Sequence, residues 1–371
     1  MVVTATVTAV PPHVDVSAAD PRDRGRQYGE AARERIAVSI AFYRGEFESR
    51  TGLTWDEVCR RAPAWQPYVE AYAPELLEEV RGVAEGSNTR FEEILALNAR
   101  GELRKGDPLG RPEGCTAFSL AQEATGDGHV YCGQNWDWRC GTKDSVVMLR
   151  IREPGAPTIV MQVEAGQIGR HGASSAGLGL NANGLDAPFG FGPGVPQPFI
   201  RRRILKSWTV ADALAALYAS KPALCTNLIF THRDGFQLDL ETTPARHGVL
   251  HAEAGVLVHA NAFLGDVPVQ IEGTYRPSSV DSLYRAPRLE QALRRARGAS
   301  GTDGTRAAVA AGLADHFGHP NGVCTHPDPE DGGRWETVAS AIVDLTTGEY
   351  LVADGNPCTE PFEPLPWNLY A

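Results

Sequence analysis

The sequence lacks the charge pattern and the long apolar runs that mark two large classes of protein. Its 35 lysine and arginine residues stand against 46 aspartate and glutamate residues, for a formal net charge of −11. A net acidic chain without a basic run is poorly suited to nonspecific binding of nucleic acid or of an anionic membrane. No stretch approaches the roughly 18 uninterrupted apolar residues that a membrane span needs. We therefore expect neither nucleic acid nor a membrane as partner.

The amino end also lacks the pattern of a secretion signal. It carries no positive start, and Pro11 and Pro12 interrupt it, whereas a signal peptide joins a basic start to a continuous apolar stretch. Seven cysteines, an odd number scattered along the chain, do not have the pattern of a disulfide framework. Cys132 and Cys140 could pair if oxidised, but in a reducing compartment we interpret them as packing residues. The expectation is a cytoplasmic protein with reduced thiols.

The first hundred residues are mainly helical in pattern. Asp20 and Pro21 are typical of a helix start, and Gly86 is placed where a left-handed residue could end a helix. A charged stretch rich in glycine and proline follows, up to Gly114, and it indicates an exposed connector. The predicted helices cover residues 24–50, 74–86 and 91–103.

Beyond this connector, short apolar segments separated by turn signals predict antiparallel β-structure. Asp234 and Gly235 mark a hairpin, because this dipeptide suits a two-residue turn. The glycine-rich residues 172–185 are interpreted as a long functional loop. Helices, strands, helices and strands in this order favour an α+β fold with two sheets between helical layers. Strands are predicted over 115–121, 129–138, 145–153, 158–165, 227–244, 255–263 and 339–355, and helices over 200–220 and 283–298.

The most distinctive chemistry lies at Gly114-Cys115, where a cysteine opens a predicted strand after a residue without a side chain. A thiol in this position can attack the carbonyl carbon just before it, and hydrolysis of the thioester leaves Cys115 as a new chain end. Its α-amine, with an ordinary pKa of about 7.7–8.0, can accept the thiol proton as a general base. The pair alone is a weak signal, because the alternative is a small buried cysteine at the start of a strand.

Further motifs make the chain resemble the acyl-coenzyme A:isopenicillin N acyltransferase family of self-processing N-terminal nucleophile hydrolases. The residues before Gly114 match the family's removable or cleaved α segment. The other matching motifs are Gly114-Cys115-Thr116, GQNWDW at 133–138, the glycine-rich segment at 164–185 and VHANAF at 258–263. Their order and spacing together are a much stronger signal than any one of them.

The resemblance implies a fold and a division of the chain. The fold is a four-layer αββα sandwich, with two antiparallel sheets between helical layers and a helical N-terminal segment. Residues 1–114 would form the helical α segment, and residues 115–371 the hydrolase core or β segment. Both fragments would remain associated as one compact unit after cleavage between Gly114 and Cys115.

The resemblance also implies roles for individual residues. Cys115 would be the nucleophile, and Asp137 would hold its amine in place. Asn261 would donate to the developing oxyanion, a contact worth about 3–4 kcal/mol in comparable sites. Asn181 would line the substrate site.

One position departs from the family pattern. Thr325 stands where the family carries an arginine over the active site, and threonine cannot make a bidentate charged contact. Either another cation substitutes, with Arg139 or His326 as candidates, or the substrate is less anionic.

A histidine-rich loop could bind zinc. It contains His316, His319, Cys324 and His326, but their spacing fits no regular zinc motif. We therefore interpret these side chains as solvated and predict no metal. No cofactor is expected either, although acyl-coenzyme A could serve as a co-substrate.

The function expected from these observations is that of an amidohydrolase or acyltransferase. It would form an acyl-enzyme on Cys115 and act on a small-molecule amide or thioester in secondary metabolism. No motif decides between water and an amine as the group that resolves the acyl-enzyme. The alternative is an unprocessed binding or scaffold protein of the same fold, against which the intact Gly114, Cys115, Asp137 and Asn261 argue. Substrate identity and oligomeric state are left open by the sequence.

Overall fold

The computed structural model describes most of the chain. The described residues are 11–103, 114–185, 194–267, 272–273, 275–277 and 279–371. The connector predicted over residues 105–114 therefore lies outside the described residues, except for Gly114, which begins a strand.

Fourteen strands in the described residues form two sheets. The eight-stranded sheet A has the order β1-β4-β5-β6-β7-β8-β9-β10, with β1 at His13–Val16, β4 at Val146–Ile151, β5 at Ile159–Glu164, β6 at Gly172–Ser174, β7 at Leu178–Gly184, β8 at Thr226–His232, β9 at Gln237–Thr242 and β10 at His247–Leu250. The six-stranded sheet B has the order β11-β2-β3-β12-β13-β14, with β2 at Gly114–Leu120, β3 at Tyr131–Arg139, β11 at Val256–His259, β12 at Trp335–Asp344, β13 at Glu349–Ala353 and β14 at Glu363–Pro364. Only β1 and β4 run parallel among these described pairs.

The helices of the described residues fall into three groups along the chain. They are α1 Pro21–Ala31, α2 Arg33–Thr51, α3 Trp55–Arg61, α4 Gln66–Tyr72, α5 Pro74–Ser87, α6 Phe91–Asn98 and α7 Arg100–Leu103, then α8 Gln197–Leu205 and α9 Val210–Tyr218, then α10 Ser282–Leu293 and α11 Gly301–Leu313. None of them combines the length and the apolar character needed to cross a membrane.

The three largest hydrophobic clusters define the layers. The first joins the helices of the amino-terminal part, together with α8 and α9, to the outer face of sheet A. The second joins α10 and α11 to the outer face of sheet B. The third lies between the sheets and holds Met148 of sheet A against Cys132 of sheet B. The molecule is thus the predicted four-layer αββα sandwich, and its amino-terminal segment also adds β1 to sheet A.

The helix predicted over 24–50 is in fact two helices. Asp20 caps α1 as expected, accepting from the backbone N–H groups of Arg22 and Asp23. The chain leaves helical geometry at Ala32, with φ −107° and ψ 13°, and α2 begins at Arg33. The sequence gives no signal for this break, because Ala32 is itself a good helix former.

The predicted helix end at Gly86 is also displaced. Helix α5 continues past it, and Asn88 is the residue with left-handed geometry, at φ 60°. Gly86 serves close packing instead, because a Cβ atom there would lie 2.2 Å from the carbonyl oxygen of Arg26 on α1.

The glycine-rich stretch at 172–185 forms strands β6 and β7, so its interpretation as a loop was wrong. Its glycines allow the sheets to approach each other closely. A Cβ atom at Gly179 would lie 2.4 Å from the Sγ atom of Cys132, which is closer than a carbon and a sulfur can pack. The hairpin at Asp234-Gly235 is confirmed, with β8 and β9 antiparallel.

Candidate active site

Cys115 lies near the start of β2, an interior strand of sheet B between β11 and β3. It is opposite Trp136 in the strand register. Its side chain packs in a buried cluster with Trp136 and with Val146 of sheet A. The thiol therefore faces the space between the two sheets. None of the residue's surface is exposed in the uncut chain.

Gly114 is required by the position of Asp137. The two residues are direct partners in the β2–β3 register. A Cβ atom at position 114 would lie 2.8 Å from the Cβ atom of Asp137, a distance that real side chains do not adopt. The glycine before the nucleophile thus allows the carboxylate to lie beside the peptide bond that would be cut.

We expect Gly114→Ala to slow the predicted self-cleavage by about 5- to 160-fold, because the overpacking would displace Asp137 at a cost of about 1–3 kcal/mol. The measurement is the rate at which freshly translated chain splits, followed by gel electrophoresis. Gly45→Ala is the matched control, since a Cβ atom at Gly45 meets nothing within 4 Å. Equal cleavage rates for the two variants would contradict this interpretation of Gly114.

Asp137 is held by one hydrogen bond and one nearby charge. Its Oδ1 accepts a hydrogen bond from the Thr337 hydroxyl at 2.7 Å. Its Oδ2 has no hydrogen-bond partner among the described residues, although Arg285 Nη1 lies 3.9 Å away. Burial raises the pKa of Asp137 above its ordinary value, while Arg285 and Thr337 oppose that shift. A buried carboxyl group with a raised pKa is suited to exchanging a proton at this position.

Asn261 follows β11 and contacts the nucleophile directly. Its Oδ1 accepts a hydrogen bond from the Cys115 backbone N–H at 3.1 Å, which is the N–H of the peptide bond between Gly114 and Cys115. Its Nδ2 donates to the carbonyl oxygen of Gly184 at 2.9 Å. In the uncut chain Asn261 thus accepts at the scissile amide, and its role as an oxyanion donor stays a prediction.

Arg285 is the cation of this site, and the sequence analysis missed it. Its guanidinium donates to the Cys115 carbonyl oxygen at 2.8 Å and to Asn261 Oδ1 at 2.8 Å. It also donates to Thr116 Oγ1 at 2.7 Å and to Asp281 Oδ2 at 2.7 Å. Four acceptors thus fix the position of this fully buried side chain.

A signal for Arg285 does exist in the sequence. The buried positions of α10 include Ser282, Arg285, Ala286 and Leu289, which have the spacing of one helix face. An arginine on an otherwise apolar face needs buried partners, so it marks a polar site beneath the helix.

The two cations suggested as substitutes at Thr325 have other partners among the described residues, and a contact of either one with substrate stays a prediction. Arg139 pairs with Glu46 at 3.1 Å and stacks over the Trp335 ring. His326 faces a cluster of sulfur and imidazole groups, with its Nε2 3.5 Å from the Sγ atom of Cys324. The cation beside Cys115 comes from α10 instead.

Thr325 itself lies within hydrogen-bonding reach of the site. Its N–H donates to Thr337 Oγ1 at 3.0 Å, and its carbonyl oxygen accepts from the Thr337 N–H at 2.9 Å. Since Thr337 in turn donates to Asp137, Thr325 fixes the support of this carboxylate. A direct contact with substrate stays a prediction.

Asn181 lies on β7 and is buried between the sheets. Its Nδ2 donates to Gln134 Oε1 at 3.3 Å, and Gln134 Oε1 also accepts from the Ala182 N–H at 2.9 Å. Gln134 thus joins sheet B to sheet A two residues before Trp136. The substrate-lining role of Asn181 stays a prediction.

A second group of ionisable side chains lies between the sheets near this site. His259 is opposite Ala117 in the strand register, and its Nε2 lies 3.0 Å from Glu241 Oε1. Asp239 is fully buried, and neither of its carboxyl oxygens has a hydrogen-bond partner among the described residues. Burial raises the pKa of Asp239 to about 7, with Glu241 adding to the shift and His259 opposing it.

This pKa predicts how stability depends on pH. Between about pH 4 and pH 7 the folded chain keeps a proton on Asp239 that the unfolded chain releases, so the contribution of Asp239 to the free energy of unfolding falls as the pH rises. Asp239→Asn cannot ionise, and we expect it to flatten this part of the curve. The measurement is urea unfolding across this pH range, with the exposed Asp234→Asn as control. An unchanged slope for Asp239→Asn would contradict the assigned pKa.

Comparison with known proteins identifies the family. A family model described as acyl-coenzyme A:6-aminopenicillanic acid acyl-transferase matches residues 124–348, which is more than half of the chain. The chain belongs to this family. It is also 30% identical over 348 residues to the 40 kDa form of acyl-coenzyme A:6-aminopenicillanic-acid-acyltransferase from Emericella nidulans, covering 91% of each chain. The resemblance indicated by the sequence motifs is confirmed.

Solved structures of more distant proteins share part of this acyltransferase-family fold. A variant of conjugated bile acid hydrolase from Clostridium perfringens is 13% identical, with a TM-score of 0.46 over 68% of this chain and 97% of that one. Penicillin V acylase from Agrobacterium tumefaciens is 14% identical, with a TM-score of 0.42 over 64% of this chain and 82% of that one.

Proposed function

We propose that the chain cuts itself between Gly114 and Cys115, and that Cys115 then acts as an N-terminal nucleophile. The substrate class is a small-molecule amide or thioester, in keeping with the family to which the chain belongs. The observation that carries the proposal is the contact between Asn261 and the N–H of the bond to be cut. Asp137 beside Gly114 and Arg285 on the Cys115 carbonyl complete the group.

The self-cleavage proceeds in two steps. The Cys115 thiol attacks the Gly114 carbonyl carbon, the carbon–nitrogen bond breaks, and the nitrogen leaves with a proton as the α-amine of Cys115. Water then hydrolyses the thioester, which frees the Gly114 carboxyl group and regenerates the thiol. Asp137 supports this sequence because its Oδ2, which receives no hydrogen bond from the described residues, and its raised pKa suit proton exchange at the nitrogen.

The same contacts would serve turnover. Once the peptide is cut, Asn261 Oδ1 remains as an acceptor for one hydrogen of the new amine, and this orients the amine's lone pair. The Asp137 carboxylate packs next to Gly114, and it would therefore lie close to the ammonium group of Cys115 after cleavage. The amine accepts the thiol proton, and the thiolate attacks the acyl donor to form the acyl-enzyme. An amine or water then takes the acyl group.

Asn261 can stabilise an oxyanion only if its side-chain amide changes its hydrogen bonding. Its Nδ2 donates to the Gly184 carbonyl oxygen in the uncut chain, so it would have to redirect a hydrogen toward substrate. We propose that departure of the Gly114 end from the site accompanies this change, because the nucleophile is fully buried before cleavage.

Incubation with acyl donors tests the reaction class. Purified protein is given a series of acyl-coenzyme A thioesters, with and without a panel of primary amines that includes 6-aminopenicillanic acid, a compound named in the description of its relative. Amide formed only when amine is present indicates transfer, and free acid in every sample indicates hydrolysis. Cys115→Ala is the control for uncatalysed reaction. No product from a chain that never splits would favour the alternative of an unprocessed binding protein.

A further inference from the structure

We propose that His316, Cys324, His326 and Cys358 bind one zinc ion. One ligand atom from each residue can be chosen so that all four lie within 4.8 Å of one another. Three of these residues belong to the histidine-rich loop, for which the sequence predicts no metal because their spacing fits no regular motif. The fold changes that interpretation by adding a fourth ligand from a distant part of the chain.

Three of the four ligand atoms lie at the separations expected of a tetrahedral zinc site. Zinc bonds of about 2.3 Å to sulfur and about 2.0 Å to nitrogen place neighbouring ligand atoms about 3.3–3.8 Å apart. The Sγ atoms of Cys324 and Cys358 are 3.6 Å apart. The Nε2 atom of His326 lies 3.5 Å from the first and 3.4 Å from the second. His316 Nε2 lies 3.0 Å from His326 Nε2, so a small shift of the His316 ring would bring in the fourth ligand.

The types of the four ligands indicate which metal ion would bind. Two thiolates and two imidazoles in a tetrahedral arrangement are the usual ligands of structural zinc, and four protein ligands leave no open position for substrate. On binding, both thiols lose their protons to solvent, so that two thiolates balance the charge of Zn²⁺ and the centre is neutral.

A polar side chain next to the cluster would stabilise a zinc-bound thiolate. Asn356 Nδ2 lies 3.4 Å from Cys324 Sγ and donates to the Thr325 carbonyl oxygen at 2.7 Å. Metal ligands are commonly oriented by outer hydrogen bonds of this kind. The Asn356 amide thus joins the proposed centre to the segment beside the active site.

The proposed zinc centre would join two segments that are separated along the chain. Three ligands lie between α11 and β12, whereas Cys358 follows β13. Thr325 stands between two ligands and bonds to Thr337, which donates to Asp137. The metal would therefore be structural, and would hold in place the segment that supports the Asp137 carboxylate.

Metal analysis of the purified full chain tests this proposal without reference to activity. Protein is prepared from zinc-supplemented medium without a metal-affinity column, and zinc is measured by mass spectrometry of the elements. We expect about one zinc per chain in the wild type and close to none in Cys358→Ser. The matched controls are Cys140→Ser, a thiol outside the cluster, and His319→Ala, a neighbouring histidine; both should keep the zinc.

A spectroscopic measurement covers the case in which Cys358→Ser does not fold. Wild-type protein exchanged with Co²⁺ should show the intense visible bands of tetrahedral cobalt and a sulfur-to-cobalt charge-transfer band. X-ray absorption of the zinc form should show about two sulfur neighbours at about 2.3 Å and two nitrogen neighbours at about 2.0 Å. Wild-type protein without zinc, zinc that survives Cys358→Ser, or a disulfide between Cys324 and Cys358 would each overturn the proposal.

Discussion

Cys115→Ala should remain a single uncut chain and should have no measurable acyl transfer or hydrolysis. The alanine variant has no atom that can attack the Gly114 carbonyl, so the peptide bond persists and the α-amine is never released. Removal of a nucleophile from a catalytic group lowers kcat by at least about 10⁴-fold. Intact mass and product formation measure the two effects on the same sample.

Two further variants separate loss of chemistry from loss of fold. Cys115→Ser retains a weaker nucleophile, so it should split slowly rather than not at all. Cys225→Ala removes another buried thiol, and it should split and turn over at close to the wild-type rate. Full activity in an uncut Cys115→Ala chain would contradict the proposed nucleophile.

Arg285→Lys should lower the rates of self-cleavage and turnover by about a hundredfold, the usual cost of misplacing reacting groups by about 1 Å. Lysine keeps the positive charge between Asp137 and Asp281 but cannot reach four acceptors at once, because its ammonium is a point charge rather than a planar fork. Arg285 is a positioning residue, since its contacts are with the backbone of Cys115 and the side chain of Asn261.

The measurements on Arg285→Lys must distinguish a positioning role from a loss of protein stability. Arg285→Lys should unfold within a few degrees of the wild type, and its kcat should fall while its KM changes little. Arg288→Lys is the matched control, because Arg288 lies one turn further along α10 and pairs with Asp315. A fall in activity that only follows a fall in melting temperature would contradict a positioning role.

Local sequence patterns predicted the strand that carries Cys115 and the hairpin at Asp234-Gly235, and the motifs indicated the family and the four-layer fold. These features depend on neighbouring residues and on turn chemistry. The break at Ala32 and the strands at 172–185 were missed because packing between layers decides them. Gly179, for example, is needed for its contact with Cys132 across the two sheets.

The site was predicted only in part for the same reason. Asp137 and Asn261 were found from motifs, and the structure brings both to the Gly114-Cys115 bond. Arg285 was missed because its partners come from four different parts of the chain, which only the packing of α10 on sheet B brings together. Cys358 was missed as a member of the proposed zinc site because the pairing of β12 with β13 brings it close to His326.

The intact mass of freshly purified wild-type protein tests the central claim most directly. Self-cleavage predicts two fragments, residues 1–114 and 115–371, which remain associated in solution and separate on denaturation. Labelling of free amines should then mark Cys115 as the first residue of the larger fragment. A fully active protein that keeps the mass of the uncut chain would contradict the account, because no α-amine would exist at Cys115 to activate the thiol.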